Sequence, residues 1–262
     1  MVDEAHINPS QFTENKTVTR DKVRAKLGSD DIPTTAIEEA YDLVRITGAG
    51  NLAEDISNFY TIDRALQSKK LVEKFNLTQF ASAATKDEVV AIHRYTINNF
   101  ELTVSAYSGS YTSVQQSWMN LIKSGLAKLS STNKFVGKVY RGSNLSPSNL
   151  QPFLDAWAST TKIIKIPPIQ STSKLESVAD FFIFKFKDPN KIEVMFEIES
   201  KTGVYIDDIS DYGKYLQPTR HINDPIQEEV LLFDNKNFKI NSLSIKTKSD
   251  GVARYTIKMT EL

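Results

Sequence analysis

Three short segments of the sequence combine runs typical of β-strands with polar side chains. They are residues 139–142 (VYRG), 170–173 (QSTS) and 227–232 (QEEVLL). Polar residues at the end of a strand usually face a cleft, where positioned groups can act on a ligand. These segments are therefore the candidates for a functional site.

Each polar residue type in these segments is suited to a particular task. A guanidinium such as that of Arg141 can hold a phosphate group through two parallel charge-assisted hydrogen bonds, which a lysine cannot reproduce. A carboxylate such as that of Glu229 can stabilise developing positive charge, and a serine such as Ser171 can donate to a carboxylate while accepting elsewhere. An isolated arginine would by default be a surface residue paired with a carboxylate, so the ordered set is what carries the prediction.

Together and in this order, the segments resemble the Arg, Ser-Thr-Ser, Gln/Glu-x-Glu signature of the Arg-Ser-Glu class of mono-ADP-ribosyltransferases, which includes bacterial toxins and phage enzymes. The third element reads Gln227-x-Glu229, as in Rho-modifying exoenzymes. Residues 203–206 (GVYI) and Ile209-Ser210 also look like that family. The resemblance covers residues 85–262. It implies the ADP-ribosyltransferase fold, NAD⁺ as co-substrate, transfer of ADP-ribose, and NAD⁺ hydrolysis as a side activity.

The resemblance implies a role for each matching residue. Arg141 would bind the pyrophosphate of NAD⁺, and Gly142 would let the nicotinamide amide approach the main chain. Glu229 would bind the ribose 2′-hydroxyl and stabilise the oxocarbenium-like state formed as the nicotinamide–ribose bond breaks. Ser171 would orient Glu229.

Three further residues of the predicted NAD⁺ site have structural alternatives. Thr172 is by default a β-strand residue. Ser173 has Glu176 three residues further on, which predicts a capping box for a helix beginning at Lys174. Phe184 is a candidate for stacking on the nicotinamide ring, and the phenylalanines around it make a core position an equal alternative.

Gln227 precedes Glu229 by two residues, so on a strand both side chains would lie on one face and share a cleft, with Glu228 on the other face. In the family, glutamate at the earlier position accompanies arginine acceptors. Glutamine accompanies asparagine or glutamine acceptors, or guanine bases in a DNA-modifying branch. The resemblance therefore implies an acceptor other than arginine.

The segment 207–226 between two predicted strands is longer than the ~12–15 residues usual for an unstructured loop, which indicates a functional segment. The family uses this loop to recognise the acceptor. Tyr212, Tyr215 and Arg220 are its predicted contact residues, because aromatic and arginine side chains dominate recognition. The alternative is that they anchor the loop to its own domain.

The elements predicted to position these residues are of the α+β class. Strands are predicted at 135–141, 194–198, 203–206, 229–233, 238–245 and 255–259, and helices at 85–99, 113–129, 148–158 and 174–182. Two packed mixed β-sheets with flanking helices, the ADP-ribosyltransferase fold, accommodate this order. The start of the first helix is indicated by Thr85 and Glu88, which form a capping-box pattern.

The chain is predicted to divide into a mobile leader at 1–18, a small helical region at 19–82 and a catalytic domain at 83–262. The sequence opens with polar residues instead of the apolar run of a cleavable signal peptide, and it contains no apolar stretch long enough for a membrane span. Family members of this kind are commonly secreted or injected proteins that act in the cytoplasm of a target cell. We expect the same here, and we expect a monomer.

The composition excludes several classes of site. The chain has 32 Lys+Arg and 32 Asp+Glu residues, so it lacks the global positive charge that attracts nucleic acid. It contains no cysteine, and its three histidines are scattered, which argues against a metal centre. A target protein is therefore the favoured acceptor. Guanine in DNA, or a non-catalytic interaction module with the same fold, remain the alternatives.

Overall fold

A computed structural model describes residues 83–97, 99–214, 225–247 and 253–262. Contacts between Cα atoms divide the chain into two compact units, with the boundary between Lys128 and Leu129. The predicted leader and the helical region at 19–82 lie outside the described residues. The domain boundary placed at residue 83 stays a prediction.

The described part of the first unit is helical. Its helices are α1 (Lys86–Ile97), α2 (Phe100–Ser108) and α3 (Ser113–Leu129), of which α3 ends at the boundary. The capping box is confirmed, because the Thr85 N–H donates to Glu88 Oε2 over 2.7 Å and the Glu88 N–H donates to Thr85 Oγ1 over 3.3 Å. Trp118 is a core residue, and its Nε1 donates to the Ala91 carbonyl over 3.0 Å.

The described residues of the second unit contain a mixed sheet of seven strands. The strands are β1 (Lys134–Leu145), β2 (Ile163–Ile166), β3 (Gln170–Ser173), β4 (Ile192–Tyr205), β5 (Glu229–Leu232), β6 (Lys236–Thr247) and β7 (Ala253–Glu261). Their order is β1-β3-β5-β4-β7-β6-β2, and β1 also pairs with β4. Only β4 and β7 run parallel among the described pairs.

The predicted α+β class is confirmed. The two predicted sheets are continuous in hydrogen bonding, because β4 pairs with β7 along its first half and with β5 at its end, while β1 runs along both parts. Apolar side chains of both parts form one core with helix α4 (Pro147–Ala158). Its fully buried members include Val139, Val194, Ile198, Val230, Leu232, Phe238, Ile240, Ile257 and Met259.

Some elements differ from the sequence-based expectation. The two strands predicted at 194–198 and 203–206 are one strand, β4, which runs through Gly203. Helix α2 and strand β2 were not predicted, and both are short, so that periodicity offers few residues to detect. Strand β3 coincides with the strand-like polar segment 170–173. Helix α5 runs from Glu176 to Lys185, so it begins two residues after its predicted start at Lys174.

Candidate active site

The three polar segments lie on adjoining strands. Arg141 is in the middle of β1, Ser171 is in β3 and Glu229 opens β5. Strand β1 meets β3 at Tyr140 and Ser173, and β3 pairs along its whole length with β5. The structure thus brings together residues that are up to 88 positions apart in the sequence, counted from 141 to 229.

The carboxylate of Glu229 is the centre of this arrangement. Its side chain is buried, with 1% of the residue exposed. The Ser171 hydroxyl donates to Oε1 over 2.5 Å, and the Ser210 hydroxyl donates to Oε2 over 2.5 Å. Each carboxylate oxygen therefore accepts from one serine, and the two serines come from different elements.

The environment makes this carboxylate harder to ionise than an ordinary glutamate. Burial raises the pKa of Glu229, and the hydrogen bonds from Ser171 and Ser210 oppose that rise. The nearby carboxylates of Asp207 and Asp211 raise the pKa further. The net pKa lies above its usual value, as is common for groups at functional sites.

The Arg141 guanidinium lies beside the same serine. Its Nη1 donates to the main-chain carbonyl of Ser171 over 2.7 Å, and the residue is half-buried. This contact directs the guanidinium from β1 towards β3. Guanidinium groups carry five N–H donors, so binding one carbonyl leaves donors for an anionic group.

Gly142 has a structural reason that the sequence did not indicate. A Cβ atom at this position would lie 1.9 Å from the main-chain oxygen of Ala179 in helix α5. Glycine is therefore required for α5 to pack against β1. The predicted contact of its main chain with nicotinamide is a separate feature and stays a prediction.

The predicted capping role of Ser173 is wrong. The cap residue of α5 is Leu175, and no side chain caps this helix. The Ser173 hydroxyl instead accepts the Leu175 N–H over 2.9 Å and donates to the Gln227 carbonyl. Its neighbour Thr172 lies in strand β3, and its hydroxyl donates to the Val230 carbonyl over 2.6 Å. Contact of Thr172 or Ser173 with NAD⁺ stays a prediction.

Gln227 and Glu229 are both buried, but strand alternation does not relate them. Strand β5 begins at Glu229, and Glu228 has a left-handed conformation with a φ of 44°. Lys174 holds Glu228 in this conformation through two contacts. The Glu228 carbonyl accepts the Lys174 N–H over 3.2 Å, and the Glu228 carboxylate pairs with Lys174 Nζ at 2.5 Å. The shared cleft of Gln227 and Glu229 stays a prediction.

The described start of the predicted acceptor loop, residues 207–214, and Ile206 before it are hydrogen-bonded to the same segment. The Ile206 N–H donates to the Glu229 carbonyl over 2.9 Å, and the Gln227 N–H donates to the Tyr212 carbonyl over 3.1 Å. Tyr212 is half-buried. Tyr215 and Arg220 lie outside the described residues, so the predicted acceptor contacts stay predictions.

Phe184 is an exposed residue of helix α5, with 78% of its surface accessible. The alternative of a core position is therefore wrong for this side chain. Its neighbours Phe182 and Phe186 stack on each other at 5.9 Å between ring centroids. Stacking of Phe184 on nicotinamide stays a prediction.

Ser210, Asp207 and Asp211 were not predicted as site residues, and all three are buried beside Glu229. In the sequence, the signal that points to Ser210 is the family-like Ile209-Ser210 dipeptide, because a serine in a turn carries no signal of its own.

Two classes of feature are not found in the described ranges. None of their helices is long and apolar enough to cross a membrane. No group of three or more histidine, cysteine or acidic side chains there is arranged to hold a metal ion.

No protein-family model matches the chain, and neither does any curated protein sequence. Solved structures do match it. The ADP-ribosyltransferase HopU1 of Pseudomonas syringae pv. Tomato DC3000 superposes with a TM-score of 0.56 at 17% identity, covering 86% of this chain and 97% of HopU1. The Vis toxin, an ADP-ribosyltransferase from Vibrio splendidus, gives 0.50 at 20% identity, covering 75% of this chain and 83% of Vis.

Exoenzyme S from Pseudomonas aeruginosa, solved with human 14-3-3 protein beta and carba-NAD, gives a TM-score of 0.50 at 16% identity. The match covers 85% of this chain and 88% of exoenzyme S. The identities are low, so the similarity concerns the fold. The chain has the ADP-ribosyltransferase fold.

Proposed function

We propose that the chain is a mono-ADP-ribosyltransferase that uses NAD⁺ and modifies a side chain of a target protein. The observation that carries this proposal is the buried carboxylate of Glu229, held at both oxygens by Ser171 and Ser210, with the Arg141 guanidinium contacting the same β3 segment. The fold similarity to ADP-ribosyltransferases supports it. Exoenzyme S, with which carba-NAD was solved, supports NAD⁺ as the ligand.

In the proposed reaction, the bond between the nicotinamide nitrogen and the ribose C1′ breaks, and nicotinamide leaves with the bonding electron pair. Positive charge develops on the ribose, and the ionised Glu229 stabilises it while accepting a hydrogen bond from the 2′-hydroxyl. Arg141 binds the pyrophosphate through its free N–H donors. The acceptor nitrogen or a water oxygen then bonds to C1′ and releases a proton.

Gln227 would select the acceptor. Its main chain is held from both sides, because its carbonyl accepts from Ser173 and its N–H donates to Tyr212. An amide side chain in this place both donates to and accepts from an asparagine or glutamine acceptor, whereas a glutamate would favour a cationic arginine. The proposed acceptor is therefore an amide side chain.

Toxins and type III effectors among the structural neighbours support the role of a secreted or injected protein.

The test is transfer of label from NAD⁺ to the components of a cell lysate. We expect the wild-type chain to label a discrete protein band, and Gln227→Ala to lose transfer while keeping nicotinamide release. Glu229→Gln removes both activities. The adjoining Glu228→Gln is the matched control, because Glu228 pairs with Lys174 at the surface and is expected to keep both activities.

Treatment of the lysate distinguishes the acceptor classes. Label that resists nuclease and is removed by protease supports the proposal. Label that is removed by nuclease would indicate that the acceptor is DNA and not a protein. The enzymatic assignment fails if no lysate supports NAD⁺ turnover, and a non-catalytic interaction module would then be the reading of this fold.

A further inference from the structure

Ser210 is the second hydroxyl on the Glu229 carboxylate. It lies in the turn that follows β4, whereas the first, Ser171, lies in β3. Ser210 is fully buried. Its hydrogen bond to Oε2 has the same 2.5 Å length as the Ser171 bond to Oε1.

The turn fixes the direction of the Ser210 hydroxyl. The Tyr212 N–H donates to Ser210 Oγ over 3.3 Å, so this oxygen already accepts one hydrogen bond and its own proton points to the carboxylate. The Ser210 N–H donates to the Ile206 carbonyl over 2.9 Å. Gly213 closes the turn, since a Cβ atom there would lie 1.7 Å from the Asp207 main-chain oxygen.

The same turn is attached to the main chain of Glu229. The Ile206 N–H donates to the Glu229 carbonyl, and Ile206 precedes Ser210 by one helical-type turn. The side chain and the main chain of Glu229 are therefore both held by residues 206–210. A carboxylate that accepts a hydrogen bond at one oxygen can still rotate about its last C–C bond, and a hydrogen bond to the second oxygen restricts that rotation.

We infer that Ser210 is a positioning residue that, together with Ser171, fixes the plane of the Glu229 carboxylate for reaction with the NAD⁺ ribose. This inference rests on the proposed function. Each carboxylate oxygen keeps a second lone pair, so the two serines leave Glu229 able to accept from the ribose hydroxyl. Positioning of this kind matters because small misplacement of a catalytic group is costly.

Loss of the Ser210 hydroxyl would also change how Glu229 titrates. The groups that face this carboxylate are the Ser171 hydroxyl on β3, the Ser210 hydroxyl, and the carboxylates of Asp207 and Asp211 in the same turn. A hydrogen bond to the ionised form lowers a carboxyl pKa, so its removal raises the pKa of Glu229. The acidic limb of the activity profile then moves to higher pH.

The experiment compares Ser210→Ala with Ser200→Ala in the full chain. Ser200 is a matched control, because it is a buried serine whose hydroxyl donates to a different buried carboxylate, Glu261, over 3.2 Å and accepts the Gly203 N–H over 3.0 Å. The readouts are the pH profile of nicotinamide release, the Kd for NAD⁺ and the temperature of unfolding.

We expect Ser210→Ala to lower kcat on the order of 10- to 100-fold, with the Kd for NAD⁺ unchanged and the acidic limb displaced to higher pH. Ser200→Ala is expected to leave the profile where the wild-type chain has it. The Ser210→Cys variant keeps a side chain of similar size with a weaker donor, so its kcat and its acidic limb should lie between those of the wild-type chain and those of Ser210→Ala. It serves as the test if Ser210→Ala does not fold.

The inference is overturned if the wild-type chain is active and the acidic limb of Ser210→Ala or Ser210→Cys coincides with that of Ser200→Ala. It is also overturned if the activity loss follows the loss of folded protein. Absence of nicotinamide release by the wild-type chain would instead overturn the proposed function, and the two failures are thereby distinguished.

Discussion

Two buried glutamates of the second unit accept hydrogen bonds in different ways. Glu261, at the end of β7, accepts the main-chain N–H groups of Lys201 and Thr202 over 2.6 and 2.9 Å, and it also accepts the hydroxyls of Thr202 and Ser200. Lys236 Nζ lies 3.5 Å from its Oε1. Glu229 accepts two serine hydroxyls, and its charged neighbours Asp207 and Asp211 are themselves acidic.

The pKa values of the two groups move in opposite directions for this reason. Burial acts to raise the pKa of both carboxyls. At Glu261 the hydrogen bonds from Thr202 and Lys201, together with Lys236, outweigh burial and bring the pKa below its ordinary value. At Glu229 burial and the two aspartates outweigh the serines. The charge of the Glu261 carboxylate is therefore compensated by main-chain donors and Lys236, whereas Glu229 is held in place by two serines, with no cation of the described residues among the groups that shift its pKa.

The largest expected effect is that of Glu229→Gln on activity. The amide keeps the size of the side chain but cannot supply negative charge, so nicotinamide release should fall on the order of 10²- to 10³-fold. Stability should change in the opposite sense. The folded-state pKa of Glu229 lies above the unfolded value, so its contribution to stability is present at acidic pH and is lost as pH rises through the folded pKa.

Glu229→Gln removes that loss, and the variant should therefore unfold at the same or a higher temperature than the wild-type chain at neutral pH. Thermal unfolding followed by circular dichroism at neutral and acidic pH measures this. A variant that is both inactive and markedly less stable would show that Glu229 is a structural residue like Glu261.

The second effect is that of Glu261→Gln on stability. The amide leaves part of the donors around this position without an acceptor of equal strength, which should reduce the free energy of unfolding by about 1–3 kcal/mol at neutral pH. The folded pKa is lowered, so the stabilisation is present above the unfolded pKa and is lost as pH falls through the folded pKa. Urea unfolding should therefore show a difference that shrinks towards acidic pH. A difference in the free energy of unfolding that grows towards acidic pH would contradict a lowered pKa for Glu261 in the folded chain.

A smaller effect is expected from Asp207→Asn on the pH dependence of activity. The negative charge of Asp207 raises the pKa of Glu229, so its removal should lower that pKa. Activity that requires ionised Glu229 would then persist to lower pH than in the wild-type chain. The measurement is the pH profile of nicotinamide release, and a shift of the acidic limb to higher pH would refute the role given to Asp207.

The smallest effect is expected from Lys236→Met. The ammonium lies 3.5 Å from Glu261 and is partly exposed, so its loss should reduce the free energy of unfolding by less than about 1 kcal/mol. The four other donors to Glu261 remain. Urea unfolding of this variant beside Glu261→Gln measures the share of the cation, and a loss as large as that of Glu261→Gln would mean that the cation, not the hydrogen bonds, holds this carboxylate.

The sequence predicted the class of the fold and the segments that form the site, because these depend on local patterns. The β-like runs at 194–198 and 255–259 predicted β4 and β7, the Thr85–Glu88 capping box predicted the start of α1, and the order of the polar segments predicted Arg141, Ser171 and Glu229 as site residues. Their neighbouring positions on β1, β3 and β5 then follow from strand pairing.

The features that the sequence did not predict depend on main-chain geometry, which the identities of single residues do not reveal. The left-handed conformation of Glu228 replaced the alternation expected for Gln227 and Glu229. The Ser173 hydroxyl went to Gln227 and Leu175 instead of capping a helix, because β5 lies beside it. The position of Ser210 is set by a turn that needs Gly213, and nothing in the local sequence connects that turn with Glu229.

Nicotinamide release from NAD⁺ by the wild-type chain, Glu229→Gln and Glu261→Gln, measured at equal concentrations of folded protein, distinguishes a catalytic Glu229 carboxylate from a structural one. We expect release by the wild-type chain and by Glu261→Gln at similar rates, and a loss on the order of 10²-fold or more for Glu229→Gln. Equal rates for Glu229→Gln and the wild-type chain would contradict it, because the buried carboxylate held by Ser171 and Ser210 would then have no part in the reaction.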